Sequence, residues 1–257
     1  VSLFEPDRSS ERTPVSVITG FLGSGKTTML NHLLRQPELA DSAVIINEFG
    51  EVGLDHLLIE AIDGEVAVLS SGCVCCTLRS DLEATLRDLL ARRDRGEVPP
   101  FRRVIVETTG LADPAPIVQT LLNNPLISRF VRLDSIVATV DAVNGGAQLD
   151  AHPEAVKQAA IADRIFITKT DLADAEALAS LEDRLAALNP GASREAVAHG
   201  IVESERLFGA ALFDPERKSV DARRWLNEEA YHHHRHTHHR HDSGIAAFSV
   251  AADAPLD

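Results

Sequence analysis

Apolar and polar positions along this chain follow two patterns: short unbroken apolar runs, and longer stretches with a single apolar face. Val15-Ser16-Val17-Ile18 and Ala43-Val44-Ile45-Ile46 are runs of the first kind, as are Val104-Ile105-Val106, Ile136-Val137-Ala138-Thr139-Val140 and Ile165-Phe166-Ile167. Runs this short and this rich in β-branched residues predict strands, and their continuous apolarity predicts burial on both faces. Between them the spacing is helical. Leu30, Leu33 and Leu34 share one face of a helix from about Thr27 to Arg35. Leu82, Leu86, Leu89 and Leu90 mark a second helix that closes near Arg93, before the turn from Gly96 to Pro100. Leu178, Leu181, Leu185 and Leu188 mark a third, which ends at Asn189-Pro190-Gly191. Strands alternating with helices predict an α/β fold, with a mainly parallel central sheet flanked by helices. After Gly191 the pattern weakens, and no segment repeats another.

The divisions expected are an N-terminal extension (1–13), a nucleotide-binding domain (14–213), a connecting segment (214–230), a His-rich linker (231–243) and the start of a further domain (244–257). Ile245 to Val250 has the pattern of a strand, which must join the main sheet or belong to a domain that follows. Hydrophobic residues make up 44% of the 257 positions and charged residues 25%, as in ordinary globular domains. The formal net charge of −14 makes the surface repel nucleic acid and anionic membrane, so neither is expected as a partner. The polar start of the chain has no apolar signal core, and no run is long enough to span a bilayer, so the expected location is cytoplasmic.

The chemistry begins at Gly20-Phe21-Leu22-Gly23-Ser24-Gly25-Lys26-Thr27, which matches G-x-x-x-x-G-K-[ST] between a predicted strand and a predicted helix. Backbone N–H groups of such a loop, backed by a helix N-terminus, cradle phosphate oxygens. Lys26 is placed to reach the β- and γ-phosphates, and the Thr27 hydroxyl to bind Mg²⁺. Glu107 ends the strand Val104-Ile105-Val106, where an acid holds Mg²⁺ directly or through water, and Gly110 lets the backbone approach the γ-phosphate. Thr168-Lys169-Thr170-Asp171 ends another strand. The Asp171 carboxylate can accept from the ring N–H and amino group of guanine, a donor pair adenine lacks, while the Lys169 stem packs on the base. Such loops usually begin with Asn, and Thr168 is expected to loosen the tether.

The three cysteines, Cys73, Cys75 and Cys76, fall within four residues, which argues against a disulfide framework. Cys73 and Cys75 share a face if extended, and Cys76 joins them if a helix starts there. Thiolates in such a cluster suit Zn²⁺, Cu⁺ or similar ions, with a carboxylate, histidine or water in the fourth position. Buried inert cysteines are disfavoured by the clustering, and a redox pair by the absence of C-x-x-C. Asn47 to Asp55 follows the second strand and carries glycines and three acids, as a γ-phosphate-ordered switch loop would. Glu48 or Glu51 is positioned to complete the thiolate site, and Glu48 is the ligand we assign.

GFLGSGKTT (Gly20–Thr28), NEFGEVGLD (Asn47–Asp55), GCVCC (Gly72–Cys76), ETTGLADP (Glu107–Pro114), VDAV (Val140–Val143) and TKTD (Thr168–Asp171) together resemble the CobW family of P-loop GTPases. That family includes the zinc-regulated GTPase metalloprotein activators. The resemblance implies slow, Mg²⁺-dependent GTP hydrolysis coupled to delivery of a transition metal to a client metalloprotein. It places GTP against Gly20, Gly23, Ser24, Gly25, Lys26, Thr27, Thr28, Gly110, Lys169 and Asp171. Catalysis falls to Lys26, Thr27 and Glu107, and Mg²⁺ to Thr27 and Glu107. Cys73, Cys75, Cys76 and Glu48 take the transition metal, Zn²⁺ or alternatively Co²⁺ for cobalamin synthesis or nitrile hydratase activation. Many members carry a His-rich stretch before a C-terminal domain, as Tyr231 to His241 does here, and this chain ends where that domain should begin. A nucleotide- or metal-dependent homodimer is compatible with this reading. A small-molecule kinase leaves the cysteines and TKTD unexplained, and a passive metal buffer leaves the intact nucleotide motifs unexplained.

Overall fold

The computed structural model describes residues 12–46, 59–63, 66–69, 74–77, 82–208 and 222–223, with side chains assigned in 12–46, 82–208 and 222–223. These residues form one nine-stranded sheet with helices on its faces. Chain order runs β1 (Thr13–Gly20), α1 (Lys26–Leu34), β2 (Ser42–Ile46), β3 (Ile59–Asp63), β4 (Val66–Leu69), β5 (Val74–Thr77), α2 (Leu82–Arg95), β6 (Arg103–Glu107) and α3 (Ala115–Asn123). It continues through β7 (Val131–Asp141), α4 (Gly145–Ala151), α5 (Pro153–Ile161), β8 (Arg164–Thr168), α6 (Ala175–Leu188) and β9 (Ser193–Ala196). The sheet order is β3-β4-β5-β2-β6-β1-β7-β8-β9. From β5 to β9 all neighbours are parallel, and β3 and β4 extend the sheet as an antiparallel pair.

Each predicted apolar run is a central strand, and its residues divide between the two faces. Val15, Val17, Val104 and Val106 pack with α2 and α3, whereas Ile18, Ile105, Val44 and Phe166 pack with α1. Period-2 division of an unbroken apolar run is what a sheet covered on both sides requires. A third cluster joins Ala138, Val140, Ile165 and Ile167 to α5 and α6. In α2, Leu82, Leu86, Leu89 and Leu90 are buried, and each contributes about 1.5–3 kcal/mol by leaving water. Glu83 in its first turn and Arg92, Arg93 and Arg95 in its last complement the helix dipole.

Two expectations change. Cys76 does not start a helix: it lies within β5, and the next described helix begins at Leu82. Cys75 and Cys76 therefore occupy successive strand positions, which belong to opposite faces of the sheet. Cys75 is in register with Val44 and Ala67, and Cys76 with Ile45 and Val66. The weak pattern after Gly191 conceals β9, a four-residue strand with no buried position. Cys73, Glu48, Glu51, the Asn47 to Asp55 loop, the histidine tract and the expected strand from Ile245 to Val250 lie outside the described residues. No helix among the described residues is long and apolar enough to cross a membrane.

Candidate nucleotide site

Parallel pairing brings several strand ends to one edge of the sheet. Ile18 is in register with Glu107, Gly20 with Thr139, and Asp141 with Thr168. The loops leaving these strands therefore share the carboxyl edge, where open α/β sheets bind ligands. Phe21 to Gly25 turn from β1 into α1, and the Ser24 N–H closes the turn on the Phe21 carbonyl at 3.1 Å. Gly20 lies so close to β7 that a Cβ would stand 2.4 Å from the Thr139 carbonyl oxygen. Gly25 precedes α1 with φ at +87°, and no side chain caps the helix, so its first N–H groups face the loop. Lys26 folds back into the loop, its Nζ donating to the carbonyls of Gly20 at 2.8 Å and Phe21 at 3.2 Å. Gly23 and Thr28 are exposed at the loop, while Ser24 turns its hydroxyl to Thr139 Oγ1 at 2.6 Å.

Thr27 and Glu107 are 80 residues apart in sequence, yet the Thr27 hydroxyl donates to Glu107 Oε1 at 2.8 Å. Two oxygens that separation apart fit adjacent positions around Mg²⁺, whose octahedral ligands at about 2.0–2.1 Å lie about 3 Å from one another. Glu107 itself is 1% exposed, so an unpartnered charge there would carry a large desolvation cost. Beyond Glu107 the backbone turns at Thr108 to Asp113. The Thr108 N–H donates to the Ile18 carbonyl, and its hydroxyl to Thr19 Oγ1, both at 2.9 Å. At Gly110 a Cβ would meet the Leu22 backbone nitrogen at 2.7 Å. The glycine admits the P-loop backbone itself, a tighter demand than the expected approach to phosphate.

On the β8 side, Thr168 does not loosen its loop. Its hydroxyl donates to the Ser24 carbonyl at 2.7 Å, so a short side chain ties the β8 turn directly to the P-loop. Lys169 takes a left-handed φ of 57°, and its ammonium donates to Asp141 Oδ2 at 2.8 Å. Asp141, 1% exposed, also accepts from the N–H groups of Val143 and Asn144 and from the Asn144 carboxamide. Burial alone pushes its pKa up, but the bonds from Lys169, Asn144 and Val143 outweigh burial and hold it below the ordinary 3.8. Asp171 is held only loosely, with the His199 N–H at 3.4 Å and His199 Nδ1 at 3.5 Å. The following Gly200 packs over α1, where a Cβ would be 3.0 Å from Thr28 Cγ2.

A model of the CobW/HypB/UreG nucleotide-binding domain matches residues 14–194. The chain belongs to this family. It is 40% identical over 210 residues to the zinc chaperone YjiA of Escherichia coli, covering 81% of this chain and 65% of that one. It is 33% identical over 194 residues to zinc-regulated GTPase metalloprotein activator 1 of Schizosaccharomyces pombe, covering 73% and 46% respectively. The solved Zn(II)-bound YjiA GTPase superposes with a TM-score of 0.67 at 40% identity, covering 79% of this chain and 63% of that one. The chain thus spans 46–65% of the length of these curated relatives.

Against the resemblance to the CobW GTPases, the structure brings the P-loop, Thr27, Glu107, Gly110, Lys169 and Asp171 to one sheet edge. Three further residues bear on that edge. Asp141 lies within the VDAV segment of the CobW resemblance and has no role there; an acid ending a strand, as Glu107 does, was its signal. His199 follows a strand too irregular in pattern to notice. Gln158 is buried among Ala155, Ala159 and Ala160 of α5, and its donors reach the Gly110 and Ala112 carbonyls. A glutamine on an alanine-rich apolar face was the only sequence trace of it.

Proposed function

We propose that this chain binds GTP with Mg²⁺, hydrolyses it slowly, and couples that cycle to loading and release of a transition metal for a client protein. Asp171 accepts from the two guanine donors, and Lys169, pinned by Asp141, lays its stem against the base. The P-loop N–H groups and the Lys26 ammonium bind the β- and γ-phosphates and neutralise charge as water attacks. Thr27 and Glu107 hold the Mg²⁺, which when bound supplies Lewis-acid stabilisation of the phosphate oxygens. Cys73, Cys75, Cys76 and Glu48 are the cargo ligands, with Zn²⁺ as the metal and Co²⁺ as the alternative. Because Cys75 and Cys76 occupy opposite faces of β5, gathering all of them on one ion requires the end of that strand to rearrange on loading. The zinc chaperone and GTPase names of the relatives support this assignment. A client metalloprotein and a nucleotide- or metal-dependent homodimer belong to the same proposal.

The observation that carries the coupling is a register. Cys76 on β5 is level with Ile45 on β2, which is level with Val106 on β6, one residue before Glu107. Two strand spacings put the backbones of Cys76 and Val106 roughly 10 Å apart. The Asn47 to Asp55 loop leaves β2, the strand between them. A loop ordered by the γ-phosphate on one side can therefore supply a ligand to the thiolates on the other. A coupling of about 1–3 kcal/mol would make Zn²⁺ affinity about 5- to 150-fold tighter with a GTP analogue than with GDP, and linkage requires the reciprocal effect. Isothermal titration of Zn²⁺ against both nucleotide complexes, repeated in Cys75→Ala and Glu48→Ala, tests this. Equal native affinities would leave a GTPase and a metal binder with no link between them.

A further inference from the structure

Three side chains of helix α5 and its N-cap reach the loops beside the phosphate site. His152, at its N-cap, stacks on Phe21 of the P-loop with ring centroids 4.4 Å apart. Lys157 Nζ lies 2.5 Å from Asp113 Oδ2, whose other oxygen accepts the Ala115 N–H at the start of α3. Gln158, 1% exposed, donates from one carboxamide nitrogen to the carbonyls of Gly110 at 3.2 Å and Ala112 at 3.0 Å. Carbonyls only accept, so the amide orientation follows from chemistry. Among the described residues its Oε1 is buried with no hydrogen-bond partner. A leucine would fill the same space without that unsatisfied oxygen, so packing alone does not call for glutamine here.

The two N–H groups of a planar carboxamide diverge at a fixed angle, and together they set the relative positions of two carbonyls in the turn. On its opposite side the turn presses on the P-loop, because Gly110 leaves no room for a Cβ against Leu22. The segment that follows the Mg²⁺-binding acid is thus clamped between the P-loop and α5.

Resting on the GTPase reading above, we infer that Gln158 is a positioning residue for hydrolysis: it holds Gly110 where its N–H meets the γ-phosphate, with Lys157 as a second anchor. GDP lacks the γ-phosphate, so its binding does not depend on this clamp. The test is Gln158→Met, which keeps the volume and removes both donors. A misplacement of about 1 Å costs about 100-fold in rate and a smaller one less, so a kcat loss of about 10- to 100-fold follows if the turn shifts. The expected result is a kcat loss of that size, weaker binding of a non-hydrolysable GTP analogue, GDP affinity within about twofold, and faster amide exchange at Gly110 to Ala112. A purely structural glutamine would lower the melting temperature and leave the GDP-to-GTP-analogue ratio and kcat in place, and that outcome overturns the inference. Should Gln158→Met not fold, Lys157→Met at the half-buried anchor takes its place, with a smaller kcat loss and the same spared GDP affinity expected, and unchanged kcat the overturning result. Native protein without GTP turnover would sink the hydrolysis reading and this role together. Turnover in the native chain with an unaffected variant sinks the positioning role alone.

Discussion

Asp141 and Asp171 both follow or end strands at the carboxyl edge, but their surroundings suit them to opposite tasks. Asp141 is enclosed and saturated by bonds from Lys169, Asn144 and Val143. Its depressed pKa means that its stabilising effect is present above about pH 4 and is lost as pH falls through the folded-state value. Asp141→Asn should therefore be less stable than the native protein near neutrality and show a flatter pH dependence below pH 4, as read from urea melts at successive pH values. Asp171 keeps a quarter of its side chain exposed and makes only long contacts to His199, so its acceptor capacity is open to a ligand. Asp171→Ala should weaken GTP binding by roughly 2–4 kcal/mol and abolish preference over ATP, measured with fluorescent nucleotides. Equal affinity of the native chain for GTP and ATP would remove the guanine assignment.

The contrast between helices α1 and α6 shows how capping separates support from function. Asp174 caps α6 by accepting the Ala177 N–H at 2.7 Å, and at the far end the buried Asn189 donates to the Ala159 and Ala162 carbonyls. The first turn of α6 is thus capped within the protein, while Asn189 satisfies carbonyls at the end of α5, which suits an element that only covers the sheet. Helix α1 has Gly25 at its N-cap and no side-chain cap, so its N-terminal donors remain for phosphate. Asp174→Ala should cost about 1 kcal/mol, seen as a drop of about 2–4 °C in Tm, with nucleotide affinity unchanged. A change in nucleotide affinity would show that α6 does more than support β8. Element boundaries shifted little from the sequence reading where leucine spacing was strong, as in α2. They were missed where strands were short or polar, as in β9, because four residues without buried positions carry no period to detect.

Across the molecule, a net charge of −14 coexists with a segment of concentrated imidazoles from Tyr231 to His241. Deleting that segment should lower the number of Zn²⁺ ions bound, by equilibrium dialysis, while sparing the tightest site; unchanged stoichiometry would reduce it to a spacer. The wider division between what was legible and what was not follows contact distance along the chain. The sheet class, the helices and the P-loop were readable because apolar period and a contiguous motif are properties of neighbouring residues. The sequence by itself also named Lys26, Thr27, Glu107 and Asp171, since each sits in a short motif at the end of a run. Which of them meet was decided by strand order. Placing β6 and β7 on either side of β1 sets Glu107 against Thr27 and Thr139 against Ser24, contacts that span 80 and 115 residues. The same packing turned Thr168 from a weakened tether into a direct bond to the P-loop, kept Cys76 in a strand, and aimed Gln158 at Gly110. Such contacts depend on where whole elements come to rest, and local composition carries no record of that.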